Sequence, residues 1–282
     1  MAALAAAGLV LANACQAPPE YFRRDLTPDE RAAVADDLLG GMVQRYYQGT
    51  PEEQLTLREA LTLAPDLAAL HREAGIAYVK RGLKSEWPHG YGRAVELDPL
   101  NWQGWRGYLH LYFHRDYRRA IADFDALDAL TPGQTDYPQA TSIDFMRGAA
   151  YMQLGEYQTA LDYLDRFLEE EVSAPGQEVY LGAAVWVYRA VCLGGLGRGA
   201  EAEASLRRGL EVQGGESAEL WYYLAERVHA GGRTAEACEM LAEALLQAER
   251  GYTLSRPYVE DFYEVDAATV RRRQGAWCEE GS

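Results

Sequence analysis

The chain has 282 residues, of which 48% are hydrophobic, 11% aromatic and 25% charged. That is enough apolar mass to bury a sizeable core in one large or two ordinary domains, and it excludes disorder throughout. The formal net charge of −16 repels phosphate backbones and anionic membrane surfaces, which disfavours nucleic acid as a partner and leaves basic or apolar partners open.

At the amino terminus no charged residue precedes Glu20. Leu4 to Ala12 is an unbroken run of Leu, Ala, Gly and Val. It falls short of the ~20 apolar residues a membrane helix needs, and no other stretch approaches that length. It does match the apolar core of a secretory signal. The sequence Leu11-Ala12-Asn13-Ala14-Cys15 that follows resembles the lipobox of bacterial lipoproteins. The resemblance implies a signal peptide over residues 1–14, acylation of Cys15, and a periplasmic protein whose only contact with the membrane is that lipid anchor. Residues 15–26 then form a tether, with Gln16-Ala17-Pro18-Pro19 extended. The alternative is a frayed apolar terminus on a cytoplasmic protein.

Residues 27–249 carry an internal repeat. Thr27-Pro28-Asp29-Glu30 and Thr50-Pro51-Glu52-Glu53 each predict a capping box with Pro in the first turn, and the second of these helices closes at Ala60 and Pro65. Next come Gly75, Tyr78, Gly82, Tyr91, Ala94 and Pro99, then Tyr117, Ala120, Phe124 and Pro132. The pattern continues with Gly148, Tyr151, Gly155, Tyr157 and Ala160. Two further units hold Trp186, Ala190, Gly197, Ala202 and Leu206, then Trp221, Leu224, Ala225, Gly232, Ala237, Leu241 and Ala244. At these residues the chain resembles the tetratricopeptide repeat, whose unit of about 34 residues is a helix-turn-helix. The resemblance implies an all-α fold: a right-handed helical solenoid of about five to six helix pairs. Extra residues near 133–141 and 171–180, rich in Gly, Pro, Ser and Gln, read as loops.

Residues 250–282 read as a capping helix and tail. A helix is predicted over Pro257 to Gln274, with Tyr258, Phe262, Val265 and Thr269 down one side and Arg271-Arg272-Arg273 at its solvated end.

No phosphate loop, nucleophile elbow or HExxH motif occurs. His110 and His114 stand four apart on one helix, but no third ligand is placed to complete a metal site. Cys15, Cys192, Cys238 and Cys278 show no metal spacing, and Cys192 and Cys238 are expected to be small buried core residues. No catalytic residue, cofactor or metal is therefore expected.

One helix stands out. From Asn101 to Phe113 it places Gly104, Gly107, Tyr108 and Leu111 toward its partner helix, and Trp102, Trp105, Leu109 and Tyr112 on a second apolar stripe. Arg72, Ile76 and Val79 are expected on one side of that stripe and Phe145, Ala149 and Met152 on the other. The expected partner-binding groove is thus Arg72, Ile76, Trp102, Trp105, Leu109, Tyr112 and Phe145. It grades into a polar end at Glu219, Tyr222, Glu226 and His229. The competing reading is that these rings fill the space between neighbouring helices. A non-enzymatic scaffold for a protein or peptide partner, acting in envelope assembly or secretion, is the expected function. Carbohydrate binding on stacked rings is the alternative.

Overall fold

The computed structural model describes residues 26–83, 87–171, 182–257 and 259–278. The apolar run, Cys15 and nearly all of the tether lie outside them. Among the described residues the chain is all-α, with thirteen α-helices and no strand beyond an isolated bridge between Arg256 and Val259. It is a solenoid of tetratricopeptide-type helix pairs closed by a last, unpaired helix. No described helix is long and apolar enough to cross a membrane. The chain divides into two compact units, Met1–Pro99 and Leu100–Ser282.

The first unit holds α1 (Pro28–Arg45), α2 (Pro51–Leu63), α3 (Ala68–Lys80) and α4 (Trp87–Leu97). Both predicted capping boxes are present, in different forms. Thr27 and Glu30 exchange bonds reciprocally, main-chain N to Oε2 at 2.7 Å and N to Oγ1 at 3.3 Å. Glu53 accepts instead from the N–H of Gly49, and its side chain is buried. Ala35, Leu57, Ala60 and Leu70 form a core between α1, α2 and α3. Gly75 faces Tyr91 so closely that a Cβ there would stand 3.2 Å from the Tyr91 nitrogen.

The second unit opens with α5 (Pro99–Leu109), which runs directly into a π-helical turn, His110–His114. The pairs continue with α6 (Tyr117–Leu130), α7 (Ile143–Gln153), α8 (Tyr157–Glu171), α9 (Ala183–Gly195), α10 (Gly199–Val212), α11 (Ala218–Ala230) and α12 (Thr234–Glu249). The π turn has a cause in the sequence. The small residue of the first helix meets the large residue of the second at Gly75–Tyr91 and Gly148–Leu164, in each case sixteen positions apart. The corresponding partners here, Gly107 and Phe124, are seventeen apart. The extra residue is absorbed by one wider turn, which keeps Gly107 against the Phe124 ring and re-aims the residues after it. Turns that reverse the other pairs use glycine in the left-handed region, as at Gly155 and Gly197, both with φ 75°. This pair uses Arg115 at φ 54°.

The loop predicted near 133–141 is packed rather than loose: Pro138 is buried and lies against Gly104 of α5. The loop predicted at 171–180 falls almost entirely outside the described residues. At the carboxyl end the expectation fails. None of the described residues from Pro257 to Asp266 is helical, and the last described helix is α13 (Ala267–Cys278). Between Gly251 and α13 the chain runs as an irregular strap. The arginine run therefore lies inside α13: Arg273 pairs with Glu226 at 2.7 Å, and Arg271 reaches Glu249. Cys238 is not a free core thiol but is disulfide-bonded to Cys278, tying α12 to α13. Cys192 is free and buried, as expected, and burial pushes its thiol up to about 12.

Candidate functional site

The sequence predicts a row of first-helix rings, and the structure shows what covers it. Within the second unit the strap after α12 crosses the face formed by the π turn, α6, α9 and α11. Phe262 stacks on Tyr112, with centroids 5.6 Å apart, and meets Tyr117 and Tyr188 edge-on at 6.0 and 6.1 Å. Tyr263 follows, against Tyr188 at 6.2 Å and Tyr223 at 5.6 Å. It sits at φ 64°, a left-handed conformation that a bulky residue adopts only when its surroundings impose it. Phe262 and Val265 are buried.

Polar groups pin the strap. Glu219 of α11, 0% exposed, accepts the N–H of Leu254 at 2.9 Å and of Val265 at 3.3 Å on the same oxygen. Burial raises its pKa, and those main-chain donors work in the opposite direction. Arg256 and Asp261 close the turn of the strap with two hydrogen bonds of 2.5 Å, and the Arg256 guanidinium lies 5.2 Å from the Tyr112 ring centroid. Arg115, the residue standing where the other pairs have glycine, donates to the Glu260 carbonyl at 2.5 Å and sits 4.4 Å over Phe262. Burial raises the pKa of both Tyr112 and Tyr188, so the hydroxyls under the strap stay neutral.

Beside the strap the face stays open. A cavity of about 510 Å³ lies between the strap, the loop before α7, and helices α7, α8 and α9. Phe145 crosses its floor, stacked on Tyr188 at 5.5 Å and tilted against Phe167 at 5.3 Å. The packed loop supplies Tyr137 to the rim.

The predicted groove residues scatter across these environments. Tyr112 is buried beneath the strap, while Phe145 is half-buried and lines the cavity. Leu109 is buried core. Trp102 and Trp105 are half-buried and meet edge-on at 6.1 Å. In the first unit Ile76 is buried, and Arg72, half-buried, pairs with the adjacent Glu73. Ala149 and Met152 are buried as well. The polar end expected at Glu219, Tyr222, Glu226 and His229 is covered. Glu219 holds the strap, Tyr222 accepts from Arg273 at 3.1 Å, and His229 stacks on Trp277 of α13 at 3.8 Å. Phe262 was expected on one side of a capping helix rather than in a strap, while Arg256 and Arg115 escaped the sequence reading. Of these two only Arg115 left a trace, as a non-glycine at a turn where glycine recurs.

Near α5 the charged groups are structural. Asp123 takes Gln103 at 2.6 Å and Arg106 at 2.7 and 2.9 Å, with His110 Nε2 at 3.8 Å. Burial lowers His110 to about 4. Among the described residues no three His, Cys, Asp or Glu side chains gather as a metal would require.

The fold and this face together define a class: a tetratricopeptide-like all-α solenoid with an aromatic face on its first helices. Solved structures give that class its particular neighbours. PilW, a widely conserved type IV pilus biogenesis factor, superposes with a TM-score of 0.57 at 16% identity, over 80% of this chain and 95% of that one. PilF of Pseudomonas aeruginosa gives 0.56 at 18% identity, over 80% and 93%. Cut9, from a complex with Hcn1, gives 0.54 at 15% identity, over 90% of this chain and 49% of that one. At these identities the likeness is one of fold. No protein-family model and no curated protein matches the chain.

Proposed function

We propose that the chain is a non-enzymatic scaffold that holds an extended peptide segment of a protein partner on the aromatic face of its second unit. The observation carrying this reading is the strap. An irregular segment of the chain itself, turned back on itself at Arg256 and Val259, lies on that face, anchored by an inserted ring and by main-chain hydrogen bonds to a side chain. These are the elements by which a helical-repeat face holds an extended ligand. Phe145 is its open central ring, Tyr112 is the ring that the strap occupies, and Trp102 and Trp105 are its half-exposed flank.

The setting we propose is the bacterial envelope, with a lipid anchor at Cys15 and a role in envelope assembly or secretion. The lipobox resemblance supports it, and so does the fold likeness to a pilus biogenesis factor. The Cys238–Cys278 bond adds support of another kind, because disulfides persist chiefly in oxidising compartments.

Two measurements test the reading. A photo-crosslinking residue placed at Phe145 in the native host should capture a discrete protein partner that the same residue at Leu246, exposed on α12, does not. Capture at both sites, or at neither, removes the claim for this face. Mass spectrometry of the native amino-terminal peptide should find an acylated Cys15 as the first residue. An unmodified Cys15 still joined to Met1 removes the envelope claim and leaves the peptide-binding claim standing.

A further inference from the structure

The cavity beside the strap has walls of one chemistry and a mouth of another. Phe145, Phe167, Tyr112 and Tyr188 line it, and Tyr137 and Glu171 stand at its rim. Aromatic faces attract cations through the ring quadrupole, and rings nearby on this unit already carry guanidinium groups. Arg115 lies over Phe262 at 4.4 Å, Arg256 over Tyr112 at 5.2 Å and Arg273 over Trp277 at 4.7 Å. Phe145, Phe167 and Tyr188 have no such cation among the described residues.

The carboxylates at the mouth are equally uncompensated. Glu171 accepts from the Tyr137 hydroxyl at 2.8 Å, and Glu170 from Thr135 at 3.0 Å. Neither forms an ion pair among the described residues. Among the described residues the one cation lining the cavity is Arg256, which Asp261 holds through Nε and Nη2. A negative mouth above negative ring faces, on a chain of net charge −16, selects a cation. The walls require that its stem be apolar.

We infer that this cavity receives an arginine or lysine side chain from an extended segment of the partner. The aliphatic stem lies along the cavity-facing edges of Phe145 and Phe167, which pack on each other, and the charged head stays near Glu171, where water still reaches it. A long basic side chain is suited to this division, since it buries its methylenes while keeping its head solvated. With a volume of about 510 Å³ the cavity also has room for a neighbouring apolar residue of the same segment. This inference rests on the proposed reading of the face as peptide-binding.

The test uses the full oxidised chain and four pools of fluorescein-labelled octapeptides. Each pool is degenerate at every position except the fourth, which is fixed as arginine, lysine, citrulline or glutamate. Citrulline keeps the shape of arginine and removes its charge. Anisotropy titrations should show the arginine and lysine pools binding roughly tenfold more tightly than the citrulline and glutamate pools. The preference should shrink as salt is raised. Glu171→Gln, at a half-exposed position that tolerates the change, should abolish the preference for arginine over citrulline while leaving the melting temperature unchanged. Phe145→Ala should weaken all four pools. If arginine and citrulline bind alike, or Glu171→Gln keeps the preference, the inference is wrong while the peptide-binding reading stands. If no pool binds at all, that reading falls as well.

Discussion

A carboxylate with no exposure must find donors, and Glu219 finds them more than thirty residues away, in the N–H groups of Leu254 and Val265. Replacing it by alanine orphans the buried Val265 donor and the part-buried Leu254 donor, so Glu219→Ala should cost about 1–3 kcal/mol in urea unfolding. Glu219→Gln keeps an amide oxygen in the same place and should recover much of the loss. Equal losses in the two variants would show that the acceptor oxygen is not what holds the strap. His110 makes a second prediction. Its folded pKa lies near 4 against an ordinary 6.5, because burial outweighs the Asp116 carboxylate and the Arg106 and Arg119 guanidinium groups push the same way as burial. The unfolded chain therefore binds a proton that the folded chain refuses between those values. The contribution is complete above pH 6.5 and is lost as pH falls through 6.5 toward 4. Asp123, raised by burial, works in the opposite direction near the acid end. The informative quantity is thus the difference between parent and His110→Leu. The variant should lose less stability between pH 7 and pH 4.5, by on the order of 2 kcal/mol. Parallel pH profiles would exclude His110 as the titrating group.

At the scale of elements, the helix pairs were legible because small and large residues recur at spacings set by close packing. Gly75–Tyr91 and Gly148–Leu164 are direct instances. The π turn was also present in the sequence, as one extra residue between Gly107 and Phe124. That signal is visible only once the contacting partners are known. The strap was not legible. Phe262, Val265 and Thr269 stand at helical spacing, and Pro257 opens the stretch as a helix-starting proline would. Tertiary contacts override that local preference: Phe262 leaves the helical path to stack on Tyr112, and Glu219 takes the Val265 N–H that a helix would have used. The polar stripe of α11 was misread for the same reason, since nothing in a repeat alignment shows a later segment folding back on it. The Cys238–Cys278 pairing was equally invisible, because a cysteine on a helix reads the same whether or not a partner arrives from the terminus. That bond spans 40 positions and fixes α13 to α12. Cys278→Ser should cost about 2–4 kcal/mol. Hydrogen exchange should accelerate in α13 and the strap and stay unchanged in α7 and α8. Uniform acceleration across the second unit would mean that the disulfide supports the whole unit rather than its closing helix.

For the whole molecule, stability in a helical-repeat chain is approximately a sum of units and of contacts between neighbours. Loss of the terminal segment should therefore be local in its effect on helicity and broad in its effect on exposed surface. Removing residues 252–282 deletes one of the thirteen α-helices among the described residues, so far-ultraviolet circular dichroism should remain strongly helical. It also uncovers the rings of Tyr112, Tyr117, Tyr188 and Tyr223 and the fully buried carboxylate of Glu219. An apolar patch of that kind attracts dyes and other chains. The truncated chain should bind an environment-sensitive dye strongly and self-associate at concentrations where the parent is monodisperse. A synthetic peptide of residues 252–266, added in trans, should suppress both effects by reoccupying the face. Phe262→Ala in that peptide should remove the suppression, since that ring meets Tyr112, Tyr117 and Tyr188. A truncation that loses its helical signal outright would place the strap in the folding core of the second unit. The face could not then be vacated for a partner. A truncation that stays helical, binds dye and is rescued only by the parent peptide would establish that the face recognises an extended segment in its own right.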